Sequence, residues 1–244
     1  MKCEMEEIRK AHNLFKREII QAVCQGDGLQ VLDVGCGYGG DLQKWKHVGA
    51  HVSMCDPSAD ALEEARTRAK GLKMHVSFYL GDVSACPNRK YDVLCYNFSL
   101  HYIFASSDLF YRSIKEIRKR MKPGGTLAGI IPDSEAIIMR TPMQDDLGNF
   151  FLMKGTPEGG FGEKLFVNLA DTPYYEDGAK SEPMAYKDRL VTTLEQHGFH
   201  LVYWGPLTGH RVSQMYSKFI FAYRNAGGGG RAHHREPVRA SEHT

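Results

Sequence analysis

No run of this 244-residue chain is long and apolar enough to span a bilayer. Its start, Met1-Lys2-Cys3-Glu4-Met5-Glu6-Glu7, lacks the apolar core of a secretory signal. The six cysteines, Cys3, Cys24, Cys36, Cys55, Cys86 and Cys95, form no CxxC pair, and no Cys/His cluster has zinc spacing. Several stand in apolar, strand-like runs, where cysteine is usually a small buried hydrophobe. A disulfide scaffold and a zinc module are thereby set aside, no metal is expected, and a reducing intracellular compartment fits best. Neither sign of charge dominates: 31 Lys and Arg against 29 Asp and Glu leave a net +2. That sum does not demand nucleic acid, but clustering rather than the total decides the matter. There is no internal repeat. The simplest expectation is one soluble α/β domain with a full-sized core.

The pattern along the chain supports that class. Residues 5–24 carry Ile8, Phe15, Ile19 and Val23 at helical spacing, decorated by Arg9, Lys10, Lys16 and Arg17. Strand-like runs at 29–34, 51–55, 74–80, 91–97 and 125–131 alternate with helical stretches at about 40–48, 58–70 and 107–121. Such alternation predicts a doubly wound, mostly parallel sheet. Lys122-Pro123-Gly124-Gly125 stops the third helix and feeds the fifth strand. After Pro132 the pattern loosens, and 143–181 reads as a long functional or disordered loop. Helix signals resume at 184–197, then strands at about 200–204 and 215–223, a hairpin that would add an antiparallel edge. From Ala226 the chain turns to glycine, Arg, His, Glu and Ser. This predicts a domain over 1–225 and a disordered tail, natural or engineered, over 226–244.

The densest signal is Val31-Leu32-Asp33-Val34-Gly35-Cys36-Gly37-Tyr38-Gly39-Gly40-Asp41. A strand ends in an acid, a glycine turn follows, and a helix opens. Glycines allow positive φ and close backbone approach, and the helix start offers free N–H groups. Gly35, Gly37 and Gly40 also satisfy the dinucleotide pattern G-x-G-x-x-G. Asp33 argues against that reading, because a carboxylate there repels pyrophosphate but attracts the ammonium and sulfonium of S-adenosylmethionine. A methyl-donor site is the expectation.

Further candidates stand at strand ends, where ligands of such sheets bind. Asp56 ends the second strand, where a carboxylate reads ribose hydroxyls, although it could simply cap the helix after it. Asp82 follows the third strand and would meet the adenine amino group, or make an ordinary Gly-Asp turn. Asp41 opens the first helix after the loop, where a helix-dipole role alone would explain it. Lys16 could reach the donor carboxylate or sit on a solvated face. Asn97-Phe98-Ser99-Leu100-His101-Tyr102 ends the fourth strand and brings an amide, aromatics and a histidine to one place.

Taken together, these segments resemble the mRNA cap guanine-N7 methyltransferases of eukaryotes and their viruses. VLDVGCGYGGDLQKWK at 31–46 is similar to that family's extended donor loop and NFSLHY at 97–102 to its Q-F-x-x-H-Y segment. MKPGGTLAGIIPDSEAI at 121–137 resembles its P-G-G strand and P-N-S-like turn. FGEKLFVNL at 161–169 resembles a substrate-side strand, SEPMAY at 181–186 a P-E-x-x-x-Y element, and RKAHNLFKREII at 9–20 its basic N-terminal helix. The resemblance covers about residues 8–224 and implies a Rossmann-like class I methyltransferase sheet with a small substrate-binding insertion.

It also implies roles. Lys16, Asp33, Gly35, Gly37, Asp41, Asp56, Asp82, Asn97 and Tyr102 would line the S-adenosylmethionine pocket. Phe98, His101, Tyr102 and Glu182 would surround the cap guanine, with Tyr216 as a further contact. His12 and Asn13 both fit one asparagine of the basic helix. Tyr38 stands where the family usually has a cation for cap phosphate, Asn97 replaces a glutamine, and Asp133 replaces an asparagine. The shorter region after the substrate strands suits a viral or protist enzyme, in a nucleus or a viral factory, working with other capping domains or a stimulatory subunit.

Guanine N7 keeps a free lone pair at neutral pH, so its methylation needs alignment rather than a general base. Glu182 could accept from guanine N1–H and N2 and favour the developing cation, and Phe98 or Tyr102 could stack on the base. No catalytic acid, base or nucleophile is assigned. Glu182 could equally be the first acidic residue of a helix beginning near Pro183. Arg9, Lys10, Arg17, Lys44 and Lys46 either track phosphates or form a solvated basic face. A methyltransferase of small metabolites, a non-catalytic RNA-binding subunit and a nicotinamide oxidoreductase are the alternatives. The four donor-loop and strand-end acids argue against the second, and Asp33 against the third.

Overall fold

The computed structural model describes residues 2–156, 158–170 and 172–224, so the expected tail at 226–244 lies outside the described residues. Five parallel strands form the body of a seven-stranded sheet: β1 (Gln30–Val34), β2 (His51–Asp56), β3 (Ser77–Leu80), β4 (Tyr91–Asn97) and β5 (Met121–Pro132). The chain closes with β10 (Phe199–Pro206) and β11 (Tyr216–Tyr223), both antiparallel. The sheet order is β10-β11-β5-β4-β1-β2-β3. From β1 the chain winds outward through β2 to β3, then returns to start β4 on the other side of β1. That reversal opens a crevice at the carboxyl ends of β1 and β4, the expected ligand position. β4 is buried along almost its whole length, as a central parallel strand covered on both faces must be.

The intervening helices follow their sequence signals. α3 (Ala59–Gly71) starts at Ser58, whose side chain accepts from Ala61 N–H, and ends with Arg68 and Lys70 against its negative pole. α4 (Ser107–Arg120) is capped in the same way by Ser106 and also ends on three basic residues. α2 (Leu42–His47) is short and is pinned by the fully buried Leu42 and Trp45. α1 (Lys2–Val23) bridges two cores. Ile19 and Ile20 pack with Val31, Trp45 and Met54 under the main sheet, whereas Met5 and Ile8 join Phe151, Leu165 and Tyr216.

That second cluster belongs to a feature the sequence pattern did not resolve. Residues 143–183 are not one long loop but a four-stranded antiparallel sheet: β6 (Met143–Gln144), β7 (Phe150–Met153), β8 (Lys164–Asn168) and β9 (Lys180–Pro183). Its inward residues Met143, Phe151, Leu165 and Val167 are buried, while Leu152 on the opposite face is exposed, the alternation of a half-covered sheet. A helix was also missed, α5 (Ser134–Arg140), capped by Asp133, which accepts from Glu135 and Ala136 N–H. β3 is shorter than expected, beginning at Ser77 rather than 74. α6 (Lys187–Gln196) begins after, not at, the 183 position.

Candidate active site

The glycine turn after β1 is fixed from two sides. Gly35 and Cys36 N–H groups both bond Cys55 O of β2, at 2.8 and 3.1 Å. Ser99 Oγ, after β4, donates to Val34 O at 2.5 Å. Gly35 has φ +72°, and a Cβ on it would stand 2.4 Å from Ser99 Cβ, so no other residue fits between the loop and the tip of β4. Gly37 differs: its φ is +51°, and a Cβ there would meet nothing within 4 Å. Its N–H donates to Asp56 Oδ2 at 2.8 Å, and Ser58 N–H donates to Asp56 Oδ1 at 2.9 Å. Asp56 therefore ties the turn to the end of β2 and also holds the start of α3.

A charged cluster sits beside the turn. Asp41 Oδ1 accepts from Lys44 Nζ at 2.8 Å. Asp41 Oδ2 lies 3.2 Å from Lys16 Nζ and accepts from Asn97 Nδ2 at 3.0 Å. Burial opposes ionisation of Asp41, but the two ammonium groups outweigh it and hold its carboxyl below the ordinary range. Asp33, only 2% exposed, accepts from Trp45 Nε1 at 2.8 Å. Burial, then the neighbouring Asp41 charge, push its carboxyl up to about 7. Asn97 Oδ1 is buried with no partner. An orphaned buried acceptor beside the Asp41 carboxylate and a lysine suits a zwitterion with an extra positive charge, its ammonium on Asp41 and Asn97, its carboxylate on Lys16. Together with the open space over Gly37, this donor set fits S-adenosylmethionine.

Across from the charges stand aromatic rings. Phe98 takes φ +61°, rare for a bulky residue, with its N–H on Ile130 O at 2.8 Å. Its ring meets Tyr216 edge-on at 5.0 Å and His12 at 5.4 Å, and Lys16 Nζ lies 5.5 Å from its centre. His12 Nε2 is 3.0 Å from Ser213 Oγ. Burial first, then Lys16 and His210, lower the His12 imidazole to about 4, so it is neutral at physiological pH. Glu182, on β9, is 4% exposed and accepts from Tyr175 Oη at 2.6 Å, and its Oε2 lies 3.1 Å from His101 Nε2. Burial would raise the Glu182 carboxyl, but His101 and the tyrosine hydroxyls more than reverse that and keep it ionised. Tyr102 packs on His101 at 4.1 Å between ring centres and shares a 2.5 Å hydroxyl contact with Tyr174. Burial and the Glu182 charge raise the Tyr102 hydroxyl.

The structure thus brings Lys16, Gly35, Gly37, Asp41, Asp56 and Asn97 together on one side, and His12, Phe98, His101, Tyr102, Glu182 and Tyr216 on the other. Several expectations need correction or detail. Glu182 does not open a helix; it pairs in β9 with Leu165, four residues before Tyr186 caps α6. Asp33 is buried and gives Oδ2 to Trp45 Nε1. Lys44 does not track phosphate: its ammonium is spent on Asn13 Oδ1, Gly40 O and Asp41. Lys46 is tied to Leu72 O at 2.8 Å. Asp82 makes a turn, with Oδ1 accepting from Ser84 N–H, while its side chain stays 45% exposed. His12 and Asn13 part company, His12 joining the rings and Asn13 turning to Lys44. Tyr174 and Tyr175 were missed altogether, and the adjacent tyrosines in a Gly/Pro/Asp-rich stretch were the only signal. Among the described residues no group of three His, Cys, Asp or Glu stands close enough to hold a metal ion. Among the same residues no helix is long and apolar enough to cross a membrane.

Known proteins share both the sequence and the frame. The sequence profile of the mRNA (guanine-N(7))-methyltransferase domain matches residues 2–151. An mRNA cap guanine-N(7) methyltransferase of Caenorhabditis briggsae is 30% identical over 227 residues, covering 80% of this chain and 59% of that protein. The Schizosaccharomyces pombe protein of the same name is 29% identical over 173 residues, 62% of this chain and 47% of its own. The chain spans about half the length of the curated relatives it matches. These relatives are cellular and lend no support to the viral source that the compact chain suggested. Among solved structures, an S-adenosylmethionine-dependent methyltransferase from Clostridium acetobutylicum superposes with TM-score 0.57 at 13% identity, over 80% of this chain and 84% of that one. The glycopeptide N-methyltransferase MtfA, solved with S-adenosyl-L-homocysteine, gives 0.57 at 15% identity over 88% of each chain. The fold is that of the class I, Rossmann-like methyltransferases.

Proposed function

Because the chain belongs to the S-adenosylmethionine-dependent mRNA cap guanine-N7 methyltransferase family, we propose that it methylates N7 of the 5′ cap guanine of GpppN-RNA, with residues 1–225 as the catalytic domain. The observation that carries this reading is the Glu182 carboxylate, buried and ionised, facing the His101, Tyr102 and Tyr175 rings across from the Asp41–Lys16–Asn97 cluster.

The donor, when bound, supplies a methyl group already activated on a sulfonium. Lys16 takes its carboxylate, Asn97 Oδ1 and Asp41 take its ammonium, and Asp56 takes the ribose hydroxyls with its remaining lone pairs. Gly37 leaves the space for it. Asp33, from beneath, favours the positive charge through the field alone. Glu182 accepts guanine N1–H and N2–H, which orients N7 outward. As N7 gains the methyl group, positive charge grows on the base, and an ionised Glu182 stabilises it in a water-poor pocket. Phe98, Tyr102 and Tyr174 offer ring faces that hold a cationic base more tightly than a neutral one. No proton is removed from N7, so no side chain serves as general base, and catalysis rests on alignment. A neutral His12 beside Phe98 keeps a further positive charge away from the base. Capped RNA is the partner this reading requires. Other capping domains or a stimulatory subunit fit the part of the relatives' length that the chain does not span.

The test is methyl transfer from labelled S-adenosylmethionine to a GpppA-capped RNA, followed by digestion to the labelled nucleotide. N7-methylguanosine from the wild type, reduced about 10²–10³-fold in Glu182→Ala with donor affinity unchanged, supports the assignment. Donor binding without transfer to any cap substrate rejects it in favour of a small-molecule acceptor.

A further inference from the structure

Between α1 and α2 lies a cavity of about 610 Å³, within the size range of small-ligand pockets. Its walls include Asn13, Arg17 and Gln21 from α1 and Gln43, Lys44 and His47 from α2, and no carboxylate lines it. None of these residues contacts the Phe98 rings or Glu182. Lys44 is saturated and acts as a fixed wall. Asn13 gives its Oδ1 to Lys44, leaving its NH₂ group for a ligand. Arg17 is exposed, and no ion pair holds it among the described residues.

This lining is chemically specific. Three carboxamides offer paired donors and acceptors of the kind that read base edges. One guanidinium and one imidazole suit a phosphate. Ile20 is the one apolar side chain among its lining residues, and a bare anion has no use for the amides. Base-reading amides beside a phosphate-binding guanidinium match a nucleotide. The position adds a second argument. Asp41 presents Oδ1 to Lys44, in the cavity wall, and Oδ2 to Lys16 and Asn97, in the crevice. The two hollows therefore stand back to back across one carboxylate.

We propose that the α1–α2 cavity is a nucleotide subsite that takes a nucleotide of the RNA chain beyond the cap. The RNA source rests on the function proposed above; the nucleotide chemistry does not. A second basic hollow, of about 580 Å³, lies at the β3 edge with Arg66, Lys70, Lys73 and His75 around Phe78. It has cations but no carboxamide, so it serves as the control for charge alone.

The experiment is fluorescence anisotropy of an uncapped, single-stranded RNA of about ten nucleotides at several salt concentrations. Arg17→Glu is expected to weaken binding about tenfold or more and to lower the salt slope by about 1, with Lys70→Glu, the same charge change, costing less than about threefold. Gln43→Ala combined with His47→Ala, which adds no negative charge, is expected to weaken binding about fivefold. Unchanged affinity in both Arg17→Glu and the double variant, or an equal loss in Lys70→Glu, overturns the subsite. Competition with AMP separates the sources: displacement of the RNA only at millimolar AMP supports a chain nucleotide, and displacement at micromolar AMP overturns the RNA assignment in favour of a free nucleotide. Methyl transfer to the cap dinucleotide, measured in parallel, is expected to stay within about twofold in every variant. A wild type that binds RNA through Arg17 yet methylates no cap substrate would defeat the proposed function and leave the subsite intact.

Discussion

On one side of the crevice, Lys16, Asp41, Lys44 and Asn97 meet in a cluster held by charge and hydrogen bonds. On the other, His12, Phe98 and Tyr216 meet ring to ring, and a single carboxylate, Glu182, is surrounded by aromatic partners. The charged side is built from α1, the start of α2 and the end of β4. The aromatic side is assembled from the end of β4, a strand of the second sheet, the turn before it and β11. Each side suits the species proposed for it. A flexible zwitterion is bound by fixed opposite charges, and a flat base that becomes cationic is bound by faces and one anion.

The largest way to break this division is Asp41→Ala. It leaves Lys16 and Lys44 facing each other, half-buried, with their shared anion gone. Removing one partner of a buried pair costs about 3–5 kcal/mol, and the loss should divide between denaturant stability and S-adenosylmethionine affinity measured by calorimetry. Affinity for a cap dinucleotide should stay within about threefold, since no ring contact involves Asp41. An equal loss of cap affinity would mean that the two sides are one cooperative unit.

The charged side was largely legible because it is local. β1, the glycine turn and α2 follow one another over residues 30–47, and Asp33, Asp56 and Asp82 stand within two residues of a strand end. What sequence could not supply was the direction of each side chain. Asp33 gives one oxygen to Trp45, twelve residues on, a contact that its place in the sequence does not announce. Lys44 looked like a phosphate cation, but three acceptors around it use all its protons. The aromatic side was legible from NFSLHY at the end of β4 and, through the resemblance, at Glu182, Tyr216 and the His12–Asn13 pair, but not at Tyr174 or Tyr175. Strands of two to five residues give no dependable periodicity, so of β6–β9 only β8 was marked, by its likeness to a substrate-side strand, and Tyr174 and Tyr175 stood in what read as a loop. α5 was lost for the same reason, although Asp133 before Ser134-Glu135 is an ordinary helix start.

The two sides also differ in sign as pH changes. His12 has its ordinary value near 6.5 when unfolded and about 4 when folded. Between those values the unfolded chain binds the extra proton, so acidification from 6.5 towards 4 destabilises the protein, by roughly 2–3 kcal/mol. Asp33 runs the other way. Its folded value is raised from 3.8 to about 7, so the folded chain binds the extra proton in that window, and its contribution is lost as pH rises through 7. The wild-type stability curve between pH 7 and 4 should therefore be flatter than that of either single variant. In denaturant titrations at stepped pH, His12→Asn should gain stability on acidification relative to wild type, and Asp33→Asn should lose it. Parallel curves for all three would show that neither group is buried in the form described.

The finest test concerns the hydroxyl contact between Tyr102 and Tyr174, which joins the end of β4 to the turn before β9. Tyr174→Phe removes one of the two hydroxyls and keeps both rings, so any stacking survives. A neutral hydrogen bond, half exposed, contributes about 0.5–1.5 kcal/mol. If the contact holds the Tyr174 ring over the base, KM for capped RNA should rise about threefold to tenfold while kcat and donor affinity stay constant, because uniform binding is lost and the charge-sensitive Glu182 is untouched. A fall in kcat at unchanged KM would place Tyr174 in transition-state stabilisation instead. The aromatic side would then act through hydroxyl dipoles as much as through ring faces, and the contrast with the charged side would narrow to the difference between fixed charges and fixed dipoles.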